Sequence, residues 1–251
     1  MLVASWRLSR AVLHGLHGVA IVLWRFPSLD EPARHQRIAW WSGKMLRLLG
    51  LELQVRGQFH SGPKLIVANH VSWLDIMAVH ALHPQARFVS KAEVREWPVL
   101  RRLVDSASTL YLERERRRDA MRVVHQVADA LRDGHTVAVF PEGTTGAGPE
   151  LLPFHGNLLQ SAISTGAPVQ PVVLRYADRS QPFTPAATFL GDTTLAQTLW
   201  MLARARGLAV HVTVLPPHDI GEASRRELAA QLRERMDAVL APWRGEPGRD
   251  V

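Results

Sequence analysis

Short apolar runs alternate with amphipathic helical patterns along most of the chain, from about residue 55 to residue 240. Short apolar runs predict strands, and apolar positions that recur every three to four residues predict helices. Strands are expected at 65–68, 87–90, 109–112, 137–140, 171–176 and 211–215. Helices are expected at 73–82, 119–132, 158–165 and 223–240. This alternation predicts an α/β fold, with a mixed, largely parallel sheet flanked by helices.

The first 57 residues follow a different pattern, in which basic residues interrupt two apolar stretches. The stretch 11–24 is shorter than the ~20 residues that a membrane-spanning helix needs, and Arg25 closes it. No small-residue cleavage site follows, so it is not interpreted as a signal peptide. The stretch 38–51 interleaves tryptophan with basic residues, which is typical of helices that lie in a membrane interface.

We interpret these two stretches as an amphipathic helical hairpin that dips into one face of a membrane. The alternative is an ordinary helical cap, because amphipathic helices usually face a protein core. The interpretation divides the chain into a membrane-associating helical segment at 1–57 and a catalytic domain at 58–251. Basic residues around both stretches favour the anionic, cytoplasmic face, which in a bacterium is that of the inner membrane.

Composition and charge narrow the class of protein. The chain has 251 residues, of which 47% are hydrophobic and 21% are charged, so it can bury a full core. It has no cysteine, which excludes disulfides, thiolate nucleophiles and cysteine metal sites. The net charge of +7 suits nucleic acid, an anionic lipid surface or an acidic carrier protein. No nucleic-acid-binding motif accompanies that charge, so nucleic acid is not expected as a partner.

Two polar blocks follow predicted strands, where α/β folds place their chemistry. The block 69–75 reads Asn-His-Val-Ser-Trp-Leu-Asp, and the block 140–146 reads Phe-Pro-Glu-Gly-Thr-Thr-Gly. In the first block, the His70 imidazole can take a proton from a hydroxyl, and a carboxylate on its other nitrogen can set its tautomer. A strand-to-helix turn can bring Asp75 to His70, although their spacing of five would not do so within one helix. His70 and Asp75 are therefore the candidate catalytic pair.

Together the two blocks resemble the lysophospholipid acyltransferases, the family of 1-acyl-sn-glycerol-3-phosphate acyltransferase. The resemblance covers about residues 65–176. It implies transfer of a fatty acyl group from an acyl thioester, either acyl-CoA or an acyl carrier protein, to the free hydroxyl of a lysophospholipid. The expected acceptor is 1-acylglycerol-3-phosphate, which yields phosphatidate. The resemblance implies no cofactor beyond the acyl donor.

The same resemblance assigns a substrate-binding set. Arg114, in the segment 109–114, would bind the acceptor phosphate through its planar guanidinium. Lys91 would supplement that cation. The rest of the expected set consists of residues of the two blocks and the acidic neighbour of Arg114: Asn69, Glu113, Glu142, Gly143 and Thr144. A turn such as 142–144 also exposes backbone N–H groups that can hold an anion or a developing oxyanion.

One departure from the family pattern concerns the acceptor. The family block commonly continues Gly-Thr-Arg, and this chain has Thr145 where that arginine would stand. Without that cation, binding of a phosphate is less strongly expected. The alternative acceptor is a different lyso-lipid, such as lyso-ornithine lipid.

The sequence offers alternatives to acyl transfer. The chain has no Gly-x-Ser-x-Gly motif, which argues against an acyl-enzyme and leaves a lipid esterase as a competing activity. The pairs His80/His83 and His14/His17 have helical spacing for two metal ligands, but no third ligand is evident, so no metal is expected. A non-catalytic lipid-binding membrane module is the alternative from another class. A paired base such as His70 argues against it, because binding alone does not need one.

Overall fold

The computed structural model of the protein describes residues 2–91, 98–112 and 117–245. Seven strands form one sheet in the order β1-β7-β6-β2-β5-β3-β4. Their bounds are β1 Leu51–Arg56, β2 Leu65–Ala68, β3 Arg87–Lys91, β4 Leu110–Leu112, β5 Val137–Val139, β6 Val169–Ala177 and β7 Leu208–Val214. The helices are α1 Leu2–Ala20, α2 Glu31–Leu49, α3 Leu74–Leu82, α4 Pro98–Ser106, α5 Arg117–Arg132, α6 Leu159–Thr165, α7 Leu195–Arg204 and α8 Arg225–Leu240.

The sheet is mixed and largely parallel, as the sequence predicts. Strands β6, β2, β5, β3 and β4 run parallel to one another, and β7 with its parallel neighbour β1 runs the other way. The carboxyl ends of the five parallel strands therefore lie along one edge of the sheet. Open α/β sheets place ligands at that edge.

Two apolar layers cover the two faces of the sheet. In β2 every residue is buried, and successive side chains alternate between the layers. Helices α1, α2, α3 and α7 contribute to one layer with Ile66 and Ala68, whereas α5, α6 and α8 contribute to the other with Leu65 and Val67. This three-layer packing explains why the central strands read as continuous apolar runs.

The N-terminal segment forms a helical hairpin of α1 and α2, which confirms the predicted hairpin. Asp30 caps the start of α2, and Gly50, with a φ of 90°, ends it. Two reciprocal contacts join the helices: the Trp41 indole donates to the His14 carbonyl, and His14 Nε2 lies 3.0 Å from the Trp41 carbonyl. Arg7 donates to the carbonyl of Ala205 at the end of α7, which attaches the hairpin to the domain.

One face of the hairpin exposes large apolar side chains. On α1 they follow helical spacing opposite the buried Ala4 and Ala11. The exposed set is Val3, Trp6, Val12, Leu13, Leu16, Leu23, Trp24 and Trp40. In the part of the chain that the structure describes, no helix has the length and apolar character needed to cross a membrane.

Three described elements were not expected from the sequence pattern. Helices α4 and α7 lie in segments for which no element was predicted, and β1 lies inside the segment assigned to the hairpin. Strand β1 pairs with β7 along its whole length, from Leu51 to Arg56. The boundary at residue 57 stays a prediction, and the edge strand β1 lies on its N-terminal side.

Candidate active site

The two polar blocks meet at the carboxyl edge of the sheet. Strands β2 and β5 are neighbours, so the turns that follow them lie side by side. The Gly146 N–H donates to the His70 carbonyl at 2.7 Å. The His70 N–H donates to Glu142 Oε1 at 2.9 Å. The blocks, about seventy residues apart in sequence, thus form one hydrogen-bonded unit.

The His70 and Asp75 side chains are paired. His70 Nδ1 lies 2.8 Å from Asp75 Oδ2, which also accepts the N–H groups of Val71 at 2.7 Å and Ser72 at 2.9 Å. Asp75 lies in the first turn of α3 and is fully buried, whereas one fifth of the His70 side chain is exposed. Because the carboxylate accepts, Nδ1 carries the proton and Nε2 is left free to accept one. The pair has the arrangement of a general base and its orienting acid.

Tyr176 is a site residue that sequence reasoning missed. Its hydroxyl donates to Asp75 Oδ1 at 2.6 Å, so both carboxylate oxygens are hydrogen-bonded. Burial first, and then the nearby Asp75, raise the pKa of the Tyr176 hydroxyl well above its usual value, which keeps it a donor. The available signal was a hydroxyl-bearing side chain inside β6, a nine-residue strand in which every residue is buried.

The His70 ring is held by aromatic stacking as well. It stacks on Phe140, with ring centroids 4.0 Å apart and an angle of 10° between the planes. Phe140 in turn stacks on Phe88 at 5.5 Å. The stack restricts rotation of the imidazole, and it leads from the candidate base to a neighbouring apolar cavity.

That cavity lies between the helical hairpin, α3 and α4. Its volume is about 240 Å³, and its walls are almost wholly apolar. Residues that define it include Ile21, Phe26, Trp41, Trp73, Met77, Phe88 and Leu103. The cavity shares helix α3 with Asp75 and the aromatic stack with His70, so it lies next to the candidate base.

Asn69 has a supporting position. Its side-chain amide donates to the Leu174 carbonyl at 2.9 Å and accepts the Leu174 N–H at 2.7 Å. Asn69 is 1% exposed. These two bonds join the end of β2 to β6. They engage both the N–H donor and the oxygen of the amide that the resemblance assigned to substrate binding. We therefore interpret Asn69 as holding the catalytic turn.

Glu142 is also held within the chain. Its two oxygens accept the N–H groups of His70 and, at 3.1 Å, Leu152, and the residue is 5% exposed. Burial raises the pKa of the Glu142 carboxyl, and the two N–H donors oppose that rise. The geometry favours a role in shaping the turn of His70 over the expected contact with the acceptor.

The rest of the second block forms the turn after Glu142. Gly143 has a φ of 69°, where a side chain would be strained, and its N–H donates to the Phe140 carbonyl. The N–H groups of Gly143 and Gly146 therefore have partners within the chain. Thr144 is exposed, and the Thr145 hydroxyl donates to the Phe189 carbonyl.

Of the residues expected to bind phosphate, Lys91 lies at the carboxyl edge of the sheet. Lys91 ends β3 and pairs in register with Leu112, the last residue of β4. Both strands are parallel to β5, so these strand ends lie on the same edge as His70. Glu113 and Arg114 follow β4 and lie outside the described residues.

The histidine pairs considered as metal ligands have other partners. His80 Nε2 lies 3.0 Å from the Ala86 carbonyl, and His83 Nε2 lies 3.4 Å from the Thr136 hydroxyl. Burial lowers the pKa of each imidazole to about 4. Among the residues that the structure describes, no three side chains of the metal-binding types gather into a site.

The chain belongs to the acyltransferase family, whose family model matches residues 51–175. It is 37% identical over 229 residues to the lyso-ornithine lipid O-acyltransferase of Pseudomonas aeruginosa, covering 89% of this chain and 88% of that protein. It is 36% identical over 206 residues to a 1-acyl-sn-glycerol-3-phosphate acyltransferase of Neisseria gonorrhoeae, covering 81% and 80%.

The fold is shared with the crystal structure of the 1-acyl-sn-glycerophosphate acyltransferase PlsC from Thermotoga maritima. The TM-score is 0.69 and the sequence identity is 23%, over 97% of this chain and all of that chain. The predictions of an α/β fold and of an O-acyltransferase are thus confirmed.

Proposed function

We propose that the protein transfers a fatty acyl group from an acyl thioester to the free hydroxyl of a lysophospholipid. The observation that carries the proposal is the His70–Asp75 pair at 2.8 Å, set at the carboxyl edge beside an apolar cavity. A hydroxyl needs a base to attack a thioester at neutral pH, and a fatty chain needs an apolar site.

In the proposed reaction, His70 acts as a general base. His70 Nε2 takes the proton of the acceptor hydroxyl while its oxygen attacks the thioester carbonyl carbon. The tetrahedral intermediate then collapses, the carbon–sulfur bond breaks, and the departing thiolate recovers the proton from the imidazolium. Asp75 stabilises the imidazolium between these steps. The products are an ester and a free thiol, and no acyl-enzyme forms.

The apolar cavity would hold the acyl chain. Its walls come from the same helix as Asp75 and from the hairpin, so a chain within it would keep its carbonyl end near His70. Burial of each methylene contributes about 0.8 kcal/mol, which favours long-chain donors over short ones. Acyl-CoA and acyl carrier protein both remain proposed donors, since each presents a thioester.

The hairpin would place the site at the membrane surface, on the cytoplasmic face of the inner membrane. Its exposed apolar side chains are accompanied by cations: Arg10 lies over the Trp6 ring, and Lys44 lies 4.8 Å from the Trp40 ring centroid. This combination suits helices that bury an apolar face in an anionic interface. The lyso-lipid acceptor would then reach the site from the same leaflet.

Two acceptors are proposed. For 1-acylglycerol-3-phosphate, Arg114 would bind the phosphate, with Lys91 and Glu113 beside it. The second candidate is lyso-ornithine lipid, which is favoured by two observations. Thr145 replaces a cation of the family pattern, and a relative 37% identical to this chain is named for that acceptor.

The test is a transfer assay with the full chain in phospholipid vesicles. Acyl-CoA and acyl carrier protein thioesters would each be combined with 1-acylglycerol-3-phosphate, lyso-ornithine lipid and other lyso-lipids, and the acylated products measured by mass spectrometry. The His70→Ala variant, purified in parallel, controls for contaminating transferases. We expect transfer to at least one acceptor. Free fatty acid without transfer would indicate an esterase, and lipid binding without turnover would indicate a non-catalytic module.

A further inference from the structure

We propose that Tyr176 is a positioning residue of the reaction, which sets the charge and orientation of Asp75 and so the basicity of His70. The inference rests on the proposed function, because it concerns the same catalytic pair. Tyr176 would act through Asp75, since its hydroxyl contacts the carboxylate and not the imidazole.

The two oxygens of the Asp75 carboxylate accept different numbers of hydrogen bonds. Oδ2 accepts from His70, Val71 and Ser72, whereas within the described residues Oδ1 accepts from Tyr176 alone, at 2.6 Å. Asp75 is fully buried and Tyr176 is 2% exposed, so water has little access to that bond. Without the hydroxyl, a buried oxygen would lose its partner, and such groups are costly.

Strand β6 supports the catalytic turn at two successive positions on one face. The backbone of Leu174 is bonded to Asn69, and two residues later the Tyr176 hydroxyl is bonded to Asp75. The Tyr176 backbone is held on both sides. Its carbonyl accepts the N–H of Thr184 at 2.9 Å, and Tyr176 pairs in register with Val210 of β7. The hydroxyl therefore comes from a rigid part of the sheet.

Two consequences follow for His70. A donor on Oδ1 stops the carboxylate from rotating, which keeps Oδ2 on the imidazole Nδ1. It also draws negative charge away from Oδ2, which weakens the stabilisation of the imidazolium by Asp75. The titratable groups facing this pair in the described residues are Tyr176 of β6 and Glu142, which follows β5 and bonds the His70 backbone.

The test compares Tyr176→Phe with the wild-type chain in vesicles, from pH 5 to pH 9. We expect kcat to fall roughly 10- to 100-fold with little change in KM for either substrate. Removing the hydroxyl leaves more charge on Oδ2, which stabilises the imidazolium. The acidic limb of kcat/KM should therefore move to higher pH.

The chain supplies a matched control. It has two tyrosines, and the other, Tyr111, also donates to an aspartate at 2.6 Å, but that aspartate is the exposed Asp105. Tyr111→Phe removes the same hydroxyl from a surface pair, and it should leave the acidic limb in place.

A second variant applies if Tyr176→Phe folds poorly. In the Tyr111→Phe background, biosynthetic 3-fluorotyrosine replaces Tyr176 alone, and its more acidic hydroxyl is a stronger donor. The acidic limb should then move to lower pH, opposite to the change with phenylalanine. A purely structural role for Tyr176 predicts a lower Tm without movement of the limb in either direction, and that result would overturn the proposal.

One measurement separates this inference from the proposed function. The imidazole resonances of His70, assigned by their loss in His70→Gln, can be titrated by NMR in wild type and in the tyrosine variants. If the wild type transfers no acyl group, the proposed function fails, whatever the titration shows. If the titration of His70 is the same in all variants, the role of Tyr176 is wrong, whatever the activity.

Discussion

The carboxylate of Glu142 accepts the backbone N–H of His70, so the second sequence block holds the turn that presents the candidate base. The same carboxylate accepts the N–H of Leu152, which ties down the loop beyond the block. These two bonds of a buried acid stabilise the observed arrangement of the two loops. The second block therefore supports the position of His70, in addition to any contact that it makes with the substrates.

This relationship predicts the effect of Glu142→Gln. One oxygen of glutamine can still accept the His70 N–H, but its amide group would then face the N–H of Leu152, and two donors repel. We expect a Tm several degrees lower and a kcat reduced about 10-fold or more. Glu150→Gln, at an exposed position, is the matched control. Unchanged kcat and Tm in Glu142→Gln would contradict the scaffolding role.

The proposed catalytic pair, His70 and Asp75, predicts large losses of rate. His70→Ala removes the base, and Asp75→Ala removes its orienting acid, so each should lower kcat by ~100- to 10,000-fold. The variants would be compared with wild type by the transfer assay after circular dichroism has shown that they fold. His125→Ala, an exposed substitution on α5, serves as control. Near-normal turnover in folded His70→Ala would refute base catalysis by this residue.

The buried His80 predicts a pH dependence of stability. Burial lowers its pKa to about 4 in the folded protein, against about 6.5 in the unfolded chain. Between these values the unfolded state binds more protons, so the free energy of unfolding falls as the pH is lowered from 6.5 to 4. The loss is on the order of 3 kcal/mol, from about 1.4 kcal/mol per pKa unit.

His80→Gln should remove this contribution, which chemical denaturation at several pH values would measure. The variant should lose less stability than wild type between pH 6.5 and pH 4. The same substitution at the exposed His125 is the control. If wild type and His80→Gln show parallel pH dependence, His80 does not contribute in this way.

The exposed face of the hairpin predicts membrane binding without a span. Trp6, Leu13 and Trp24 are 64%, 64% and 78% exposed, and changing all three to serine removes the most exposed members of the apolar face. We expect binding to anionic vesicles to fall at least 10-fold in a sedimentation assay, because each buried side chain contributes roughly 1.5–3 kcal/mol at most. Met121→Ser, an exposed apolar position on α5, should bind normally. Equal sedimentation of all three proteins would argue for the helical-cap interpretation.

The acceptor headgroup is tested by Arg114→Ala. If Arg114 binds phosphate, the KM for 1-acylglycerol-3-phosphate should rise about 10- to 100-fold while the KM for the acyl donor stays similar, because a charge-assisted contact is lost. Arg101→Ala, which breaks an exposed ion pair on α4, is the control. If the wild type acylates lyso-ornithine lipid and ignores the phosphate acceptor, the phosphate assignment is wrong. The assignment of acyl transfer would remain.

Local patterns predicted the elements that pack as simple repeats. The apolar run of β2 reflects burial on both faces, and the helical spacing in α5 reflects burial on one face. In both elements the order of apolar residues is enough to show which faces are buried. Strand β1 begins with alternation, in which Leu51 and Leu53 face the core layer and Glu52 faces away, yet its partner β7 lies more than 150 residues later. Nothing local marks it as part of the sheet. The short helices α4 and α7 likewise depend on what they pack against.

The sequence by itself determined the fold class and the family. It also identified the His70–Asp75 pair, because both residues belong to one turn between β2 and α3. The tertiary structure alone decided how that pair is held. The partners of Glu142, Asn69 and Tyr176 lie 72, 105 and 101 residues away, and they become neighbours only when β5 and β6 pair on either side of β2. Such contacts leave no local pattern, since each depends on strand order and on the face to which a side chain points. The supporting residues of the site, unlike its base, therefore became visible only in the folded protein.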